Sequence, residues 1–192
     1  METIKANVRL DAKGLACPMP IVKTKKAMND LEAGLVLEVQ ATDKGSKADL
    51  KAWAASSGHQ YLGTLEAGEV LKHYLRKSSS DETIEKKHQN VINNEELQKK
   101  LNTNDNIVVL DVREAAEFAF DHIPNARSIP LGELEDRLNE LNKEDHIFVI
   151  CRTGSRSDLA AQKLTEKGFI HVVNVLPGMS QWSGETESVQ KK

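Results

Sequence analysis

Cysteine is scarce in this chain, with only Cys17 and Cys151 among 192 residues. Two thiols cannot build the disulfide framework of a small secreted domain, and the amino-terminal METIKANVRLD lacks the apolar stretch of an export signal. A reducing, cytoplasmic compartment is therefore expected. No apolar run approaches the ~18 residues that would cross a bilayer, so no membrane partner is expected. Aromatic residues make up 4% of the chain and are not interleaved with any basic stripe, which argues against a nucleic-acid partner. The six histidines are scattered without ligand spacing, and no glycine-rich phosphate loop or dinucleotide fingerprint occurs. Neither a metal nor a cofactor is expected.

What is present divides in two. Residues 1–77 carry 12 Lys+Arg against 9 Asp+Glu, and residues 78–192 carry 14 against 20. Between the halves, residues 78–89 are serine and charge around one aliphatic, Ile84, and read as a linker. Residues 185–192 are equally polar and read as a flexible tail. The first half alternates as a strand in ANVRLD, then gives a helix beginning just after Cys17 with Ile21, Val22, Met28 and Leu31 on one side. LVLEVQA follows as a strand. A second helix opens with Ser46 as N-cap and closes at Gly58, and the strands HQYLGTL and EVLKHYLRK complete the half. The order β-α-β-α-β-β predicts a two-layer sandwich over residues 1–77, with the helices on one face of a mixed sheet.

Residues 90–184 alternate differently. Helices are expected over NNEELQKKL, EAAEFAF, LGELEDRLNEL and SDLAAQKLTEKG, and strands over IVVLDV, HIFVIC and HVVNVL. IVVLDV and HIFVIC are continuous apolar runs, as in strands covered on both faces, so an α/β domain with a central parallel sheet is predicted. Functional loops then belong at the strand C-terminal ends. One such end is Cys151, followed by Arg152, Thr153, Gly154, Ser155 and Arg156, with a helix expected from about Ser157. A glycine-containing turn opening onto a helix N-terminus turns amides toward an anion, and the arginines reinforce the field. A thiol in that place should be a thiolate nucleophile of depressed pKa.

The other cysteine sits in GLACPMPIV. With Cys17 as N-cap, Pro18 falls at the first helical position and Pro20 at the third, where prolines are harmless because first-turn N–H groups have no intrahelical acceptor. The prolines pin a helix start that presents a thiol, and the helix dipole should favour its anion. The structural alternative is a proline-initiated helix with an incidental cysteine.

Two resemblances follow from these motifs. CRTGSRS, LDVREAAEF, DHIPNARSIP and PGMSQW, in that order, resemble the rhodanese sulfurtransferases over residues 90–184. The resemblance implies a persulfide on Cys151, a cradle running from Arg152 to Ser157, and supporting roles for Asp111, Arg113 and Trp182. Asp121, Asn125 and Pro177 stand where glycines are common in that family. LDAKGLACPMPIVKTKKAM, TDKGSKADLKAW and SGHQYL resemble the TusA-like (SirA-like) sulfur carriers over residues 8–77. That resemblance implies a persulfide on Cys17, with Pro18 and Pro20 as its scaffold, and it also matches Asp11, Asp43 and Lys44. Together they imply a sulfurtransferase relaying sulfane sulfur from small donors, thiosulfate or low-molecular-weight persulfides, to acceptor thiol proteins, in one chain or across a homodimer. A non-enzymatic persulfide sensor or adaptor is an alternative. A phosphatase or arsenate reductase on the rhodanese scaffold is a third, against which the loop length counts, since four residues separate Cys151 from Arg156 where phosphate-cleaving relatives have five.

Overall fold

A computed structural model describes residues 4–80, 85–103 and 106–189. The chain forms two units, one ending at Ser79 and one starting at Ser80. In the first, β1 (Val8–Ala12), α1 (Met19–Asp30), β2 (Val36–Ala41), α2 (Ser46–Ser56), β3 (Gln60–Ala67) and β4 (Val70–Arg76) follow the expected order. The sheet order is β1-β2-β4-β3. β1 and β2 are parallel, as the α1 crossover requires, and β4 runs antiparallel to both β2 and β3. Alternate strand residues Ala12, Leu37, Val39 and Leu75 pack against Met28, Leu50 and Ala54 of the helices. α2 ends as a Schellman motif: Gly58, at φ +73°, lets the His59 N–H reach the Ala54 carbonyl at 2.9 Å.

The apolar side of α1 departs from expectation only at Val22, which is 53% exposed; Met28 and Leu31 are buried, Ile21 packs against the core, and Pro20 and Thr24 join Met28 as buried positions of the helix. Spacing of four residues carries the stripe, and Thr24 is tolerated inside because its hydroxyl donates to the Pro20 carbonyl at 2.8 Å.

The second unit contains β5 (Val91–Asn93), α3 (Asn94–Asn102), β6 (Ile107–Asp111), α4 (Ala115–Phe120), β7 (Arg127–Ser128), β8 (His146–Ile150), α5 (Ser155–Glu166) and β9 (Val172–Leu176). Its five-stranded sheet has the order β5-β9-β8-β6-β7 and is parallel throughout. Leu110, Ile147 and Val149 pack with α5, while Val109, Phe148 and Ile150 pack with Leu97 of α3. Both faces are therefore covered, which is why these strands read as unbroken apolar runs. β5 and β7 are too short to leave a periodic pattern. The helix expected over 131–141 is two 3₁₀ segments, Leu131–Glu133 and Glu135–Glu140. Leu131 and Leu134, and likewise Leu138 and Leu141, are three apart, the spacing that aligns side chains on a 3₁₀ turn, while the four-residue step from Leu134 to Leu138 gives the whole set the look of an α-helix in sequence.

The polar flanks also have places. Glu187 forms a β-bridge with His122, and the Val189 N–H donates to the Ala119 carbonyl at 2.9 Å. Before β5, the Lys87 and His88 N–H groups bond to Asp158 of α5.

Candidate functional site

Cys151 follows β8 at the C-terminal end of the central strand, and its side chain is buried. Arg152, Thr153 and Gly154 form the turn, and α5 starts at Ser155, two residues earlier than expected. Ser155, Arg156 and Ser157 thus belong to the first helical turn. Gly154 is obligatory: its φ is +91°, and a Cβ there would stand 2.1 Å from Leu176 Cδ2. Its N–H donates to Cys151 Sγ at 3.1 Å. The Ser157 hydroxyl lies 3.3 Å from the same sulfur and 2.6 Å from Asn174 Oδ1, so its single proton has two acceptors.

An anion cradle needs its carbonyls turned away, and here other segments hold them. The Cys151 carbonyl accepts from the Met179 N–H at 2.8 Å, and the Arg152 carbonyl accepts from Ser180 at 2.9 Å. The Gly154 carbonyl accepts from the Asp158 N–H and from Asn174 Nδ2. Gly178, at φ +87°, allows this close approach, because a Cβ there would meet the Cys151 carbonyl at 2.4 Å. Asn94 brackets Gly178 by donating to its carbonyl and accepting from its N–H.

Arg156 behaves differently from expectation. Arg156 is held by Glu117, with Nη1 2.7 Å from Oε2 and Nη2 3.0 Å from Oε1. Its charge is compensated there and does not close the loop over sulfur. Arg113 forks onto Asp111 and also donates to the Asp121 carbonyl. Burial alone would pull the Arg113 pKa down, but the Asp111 carboxylate outweighs it and holds the guanidinium above its ordinary value. Asp111, Arg113, Glu117 and Arg156 make a buried frame with balanced charge beside the loop. Trp182 packs with the cluster containing Leu97 and Val175, and its Nε1–H donates to the Glu185 carbonyl.

Cys17 is exposed. α1 begins one residue later than expected, with Pro18 as N-cap and Pro20 at the second helical position. The Met19 N–H donates to the Ala16 carbonyl rather than to the thiol. The expected depressed pKa is also reversed. The nearby Asp49 carboxylate, in the first turn of α2, raises the Cys17 pKa, and partial desolvation and the Asp43 charge add to it. Asp11 accepts from the Lys13 N–H at 3.0 Å, which with the Lys13 ammonium holds its carboxyl low, so it orders the turn after β1.

Ser46 is not an N-cap; Gly45 takes that position. The Ser46 hydroxyl donates to the Asp43 carbonyl and lies 2.9 Å from His73 Nε2. Nε2 must then carry the proton, leaving Nδ1 to accept from Tyr61 or Thr64, both at 2.9 Å. Burial, aided by the Lys47 charge, lowers the His73 pKa to about 4. A neutral histidine therefore pins the turn that carries Asp43 and leads into Asp49.

The family model of Sulfurtransferase TusA matches residues 8–77, and that of the Rhodanese-like domain matches residues 93–185. YrkF of Bacillus subtilis (strain 168), named as a sulfur carrier, is 53% identical over 184 residues, which cover 96% of this chain and 100% of YrkF. The chain belongs to the family of fused TusA and rhodanese sulfurtransferases. YrkI of the same organism, also named as a sulfur carrier, is 60% identical over 74 residues, covering 38% of this chain and 99% of YrkI. Among solved structures, the rhodanese-like domain of Alr3790 from Anabaena sp. shares the fold of the second unit. Its TM-score is 0.50 at 24% identity, over 55% of this chain and 83% of that one. One departure from the rhodanese pattern has a direct reading: Asn125 adopts φ +62°, the left-handed backbone that a glycine would supply.

Four site-shaping residues escaped sequence reasoning: Glu117, Asn174, Asn94 and Asp49. Only Asn174 carried a signal, as a polar residue inside the apolar run HVVNVL.

Proposed function

We propose that this sulfurtransferase carries sulfane sulfur as persulfides on Cys151 and Cys17, taken from thiosulfate or a low-molecular-weight persulfide and passed to acceptor thiol proteins. The observation that supports this most is the Gly154 N–H directed at Cys151 Sγ in a turn opening onto α5. The Cys151 thiolate attacks the outer sulfur of thiosulfate. The S–S bond breaks, sulfite leaves with the electron pair, and a persulfide anion remains on Cys151. The Cys17 thiolate then attacks the terminal sulfur and Cys151 departs as thiolate. In such exchange the thiol of lower pKa is the better leaving group. Asp49 raises the Cys17 pKa, so Cys17 is a poorer leaving group than an ordinary thiol once loaded, and it attacks from a smaller thiolate fraction at neutral pH.

The phosphatase alternative loses its oxyanion arginine, because Arg156 is engaged by Glu117. The adaptor alternative differs in turnover, since an adaptor is modified once and does not cycle. The test is thiosulfate:cyanide sulfurtransfer in wild type and Cys151→Ser. Turnover should be abolished in the variant with the circular dichroism spectrum unchanged, and a wild-type rate in Cys151→Ser would refute the assignment.

A further inference from the structure

The residues just before β5 are anchored to the Cys151 site. The N–H groups of Lys87 and His88 each donate to one oxygen of the Asp158 carboxylate, both at 2.9 Å. The His88 ring donates from Nε2 to the Val172 carbonyl, also at 2.9 Å. Asp158 is buried and lies in the first turn of α5, the helix that opens at the Cys151 loop. This clamp fixes the backbone immediately after Lys86.

Lys86 is thereby laid over the loop. Its Cε stands 3.3 Å from where a Cβ on Gly154 would be, and Gly154 is the residue whose N–H donates to Sγ at 3.1 Å. Bond lengths then keep the ammonium within about 11 Å of the sulfur. That bound is well inside one Debye length at 0.01 M salt, about 30 Å, so at low ionic strength the charge is felt at the thiol. Arg113 and Arg156, by contrast, are compensated by Asp111 and Glu117. Lys86 is exposed, and it lies outside residues 93–185 that match the rhodanese-like model.

We propose that Lys86 is a specificity-determining residue of the Cys151 site, drawing anionic sulfur donors to the thiolate in preference to neutral ones. The proposal rests on Cys151 being the sulfur-accepting nucleophile. Its test therefore reads the thiol directly and separately from sulfur transfer. In the full chain carrying Cys17→Ser, Cys151 is alkylated with iodoacetate, an anion, and with iodoacetamide, its neutral counterpart. At low ionic strength, where the test is run, a unit charge at this distance changes the ratio of the two rates by about two- to tenfold, depending on the effective dielectric. Lys86→Met, which keeps the methylenes, should lower the iodoacetate:iodoacetamide ratio by that factor, and Lys86→Arg should retain it. Lys87→Met removes a neighbouring exposed charge but keeps the main-chain clamp, and it should leave the ratio unchanged. In parallel, Lys86→Met in the otherwise wild-type chain should raise KM for thiosulfate, a dianion, by at least that factor with little change in kcat. An unchanged ratio in Lys86→Met overturns the proposal, as does an equal fall in Lys87→Met. A changed ratio in a protein with no cyanide-dependent turnover supports the electrostatic role of Lys86 and strikes only the sulfur-transfer reading.

Discussion

The guanidinium of Arg156 meets the carboxylate of Glu117 in a two-point ion pair, with both side chains buried. Glu117 Oε2 also accepts from the Glu114 N–H, so the same carboxylate closes the first turn of α4 and receives the first turn of α5. The pair ties two helix starts together beside the sulfur loop.

Removing one partner of a buried pair leaves an uncompensated charge, which typically costs roughly 3–5 kcal/mol. Glu117→Gln should lower unfolding stability by about that much. Glu117→Gln combined with Arg156→Met should recover part of the loss, giving a coupling energy in a double-mutant cycle measured by urea unfolding. Additive effects of the two substitutions would contradict the pairing.

The thiol of Cys17 provides a pH test. Asp49 stabilises its protonated form, so the wild-type pKa lies above the ordinary thiol value. Asp49→Asn removes the acceptor charge and should shift the alkylation midpoint of Cys17 to lower pH, raising its rate at neutral pH. The measurement is the iodoacetamide rate against pH in a Cys151→Ser background. A midpoint unmoved or shifted upward would exclude Asp49 as the cause.

His73 sets an acid limit. Its folded-state pKa of about 4 lies below the ordinary 6.5, so the fold holds the neutral ring. The stability this contributes is complete above about 6.5 and is lost as the pH falls toward about 4. Thermal unfolding of the first unit, followed by hydrogen exchange of β4 amides, should weaken across that window. His73→Gln should flatten the dependence and cost about 1–3 kcal/mol at neutral pH, because Ser46, Thr64 and Tyr61 lose partners. The same acid sensitivity in His73→Gln would assign it to other groups.

The sequence made some of this legible and hid the rest for physical reasons. β6 and β8 were readable because burial on both faces leaves a continuous apolar run, and the Cys151 turn because glycine and a helix start follow at once. Glu117 was hidden, since a glutamate in EAAEF looks like an ordinary solvated helix charge until α5 brings Arg156 to it. The charge expected to face the sulfur was taken up in the same way. Asp49 was invisible as a neighbour of Cys17 because the contact joins the starts of two different helices. The places of Lys87 and His88 depend on main-chain hydrogen bonds, which no side-chain pattern announces.

A relay between the thiols is the expected outcome of the proposed function. The stretch from Lys77 to the anchored Lys87 spans roughly 33 Å when extended, which brings the second thiol to an effective concentration of order millimolar. At such concentrations an intramolecular acceptor outcompetes dilute external thiols. Sulfur placed on Cys151 should therefore collect on Cys17. The measurement is to load wild type, Cys17→Ser and Cys151→Ser with thiosulfate, alkylate, digest and locate the additional sulfur by mass. Cys17 should acquire sulfur at least tenfold faster in wild type than in Cys151→Ser, on the order expected from the effective concentration. Mixing Cys17→Ser with Cys151→Ser then separates the two geometries: transfer that rises with total protein concentration belongs to a pair of chains, and transfer confined to wild type belongs to one. Equal loading of Cys17 with and without Cys151 would mean two independent carriers on one chain.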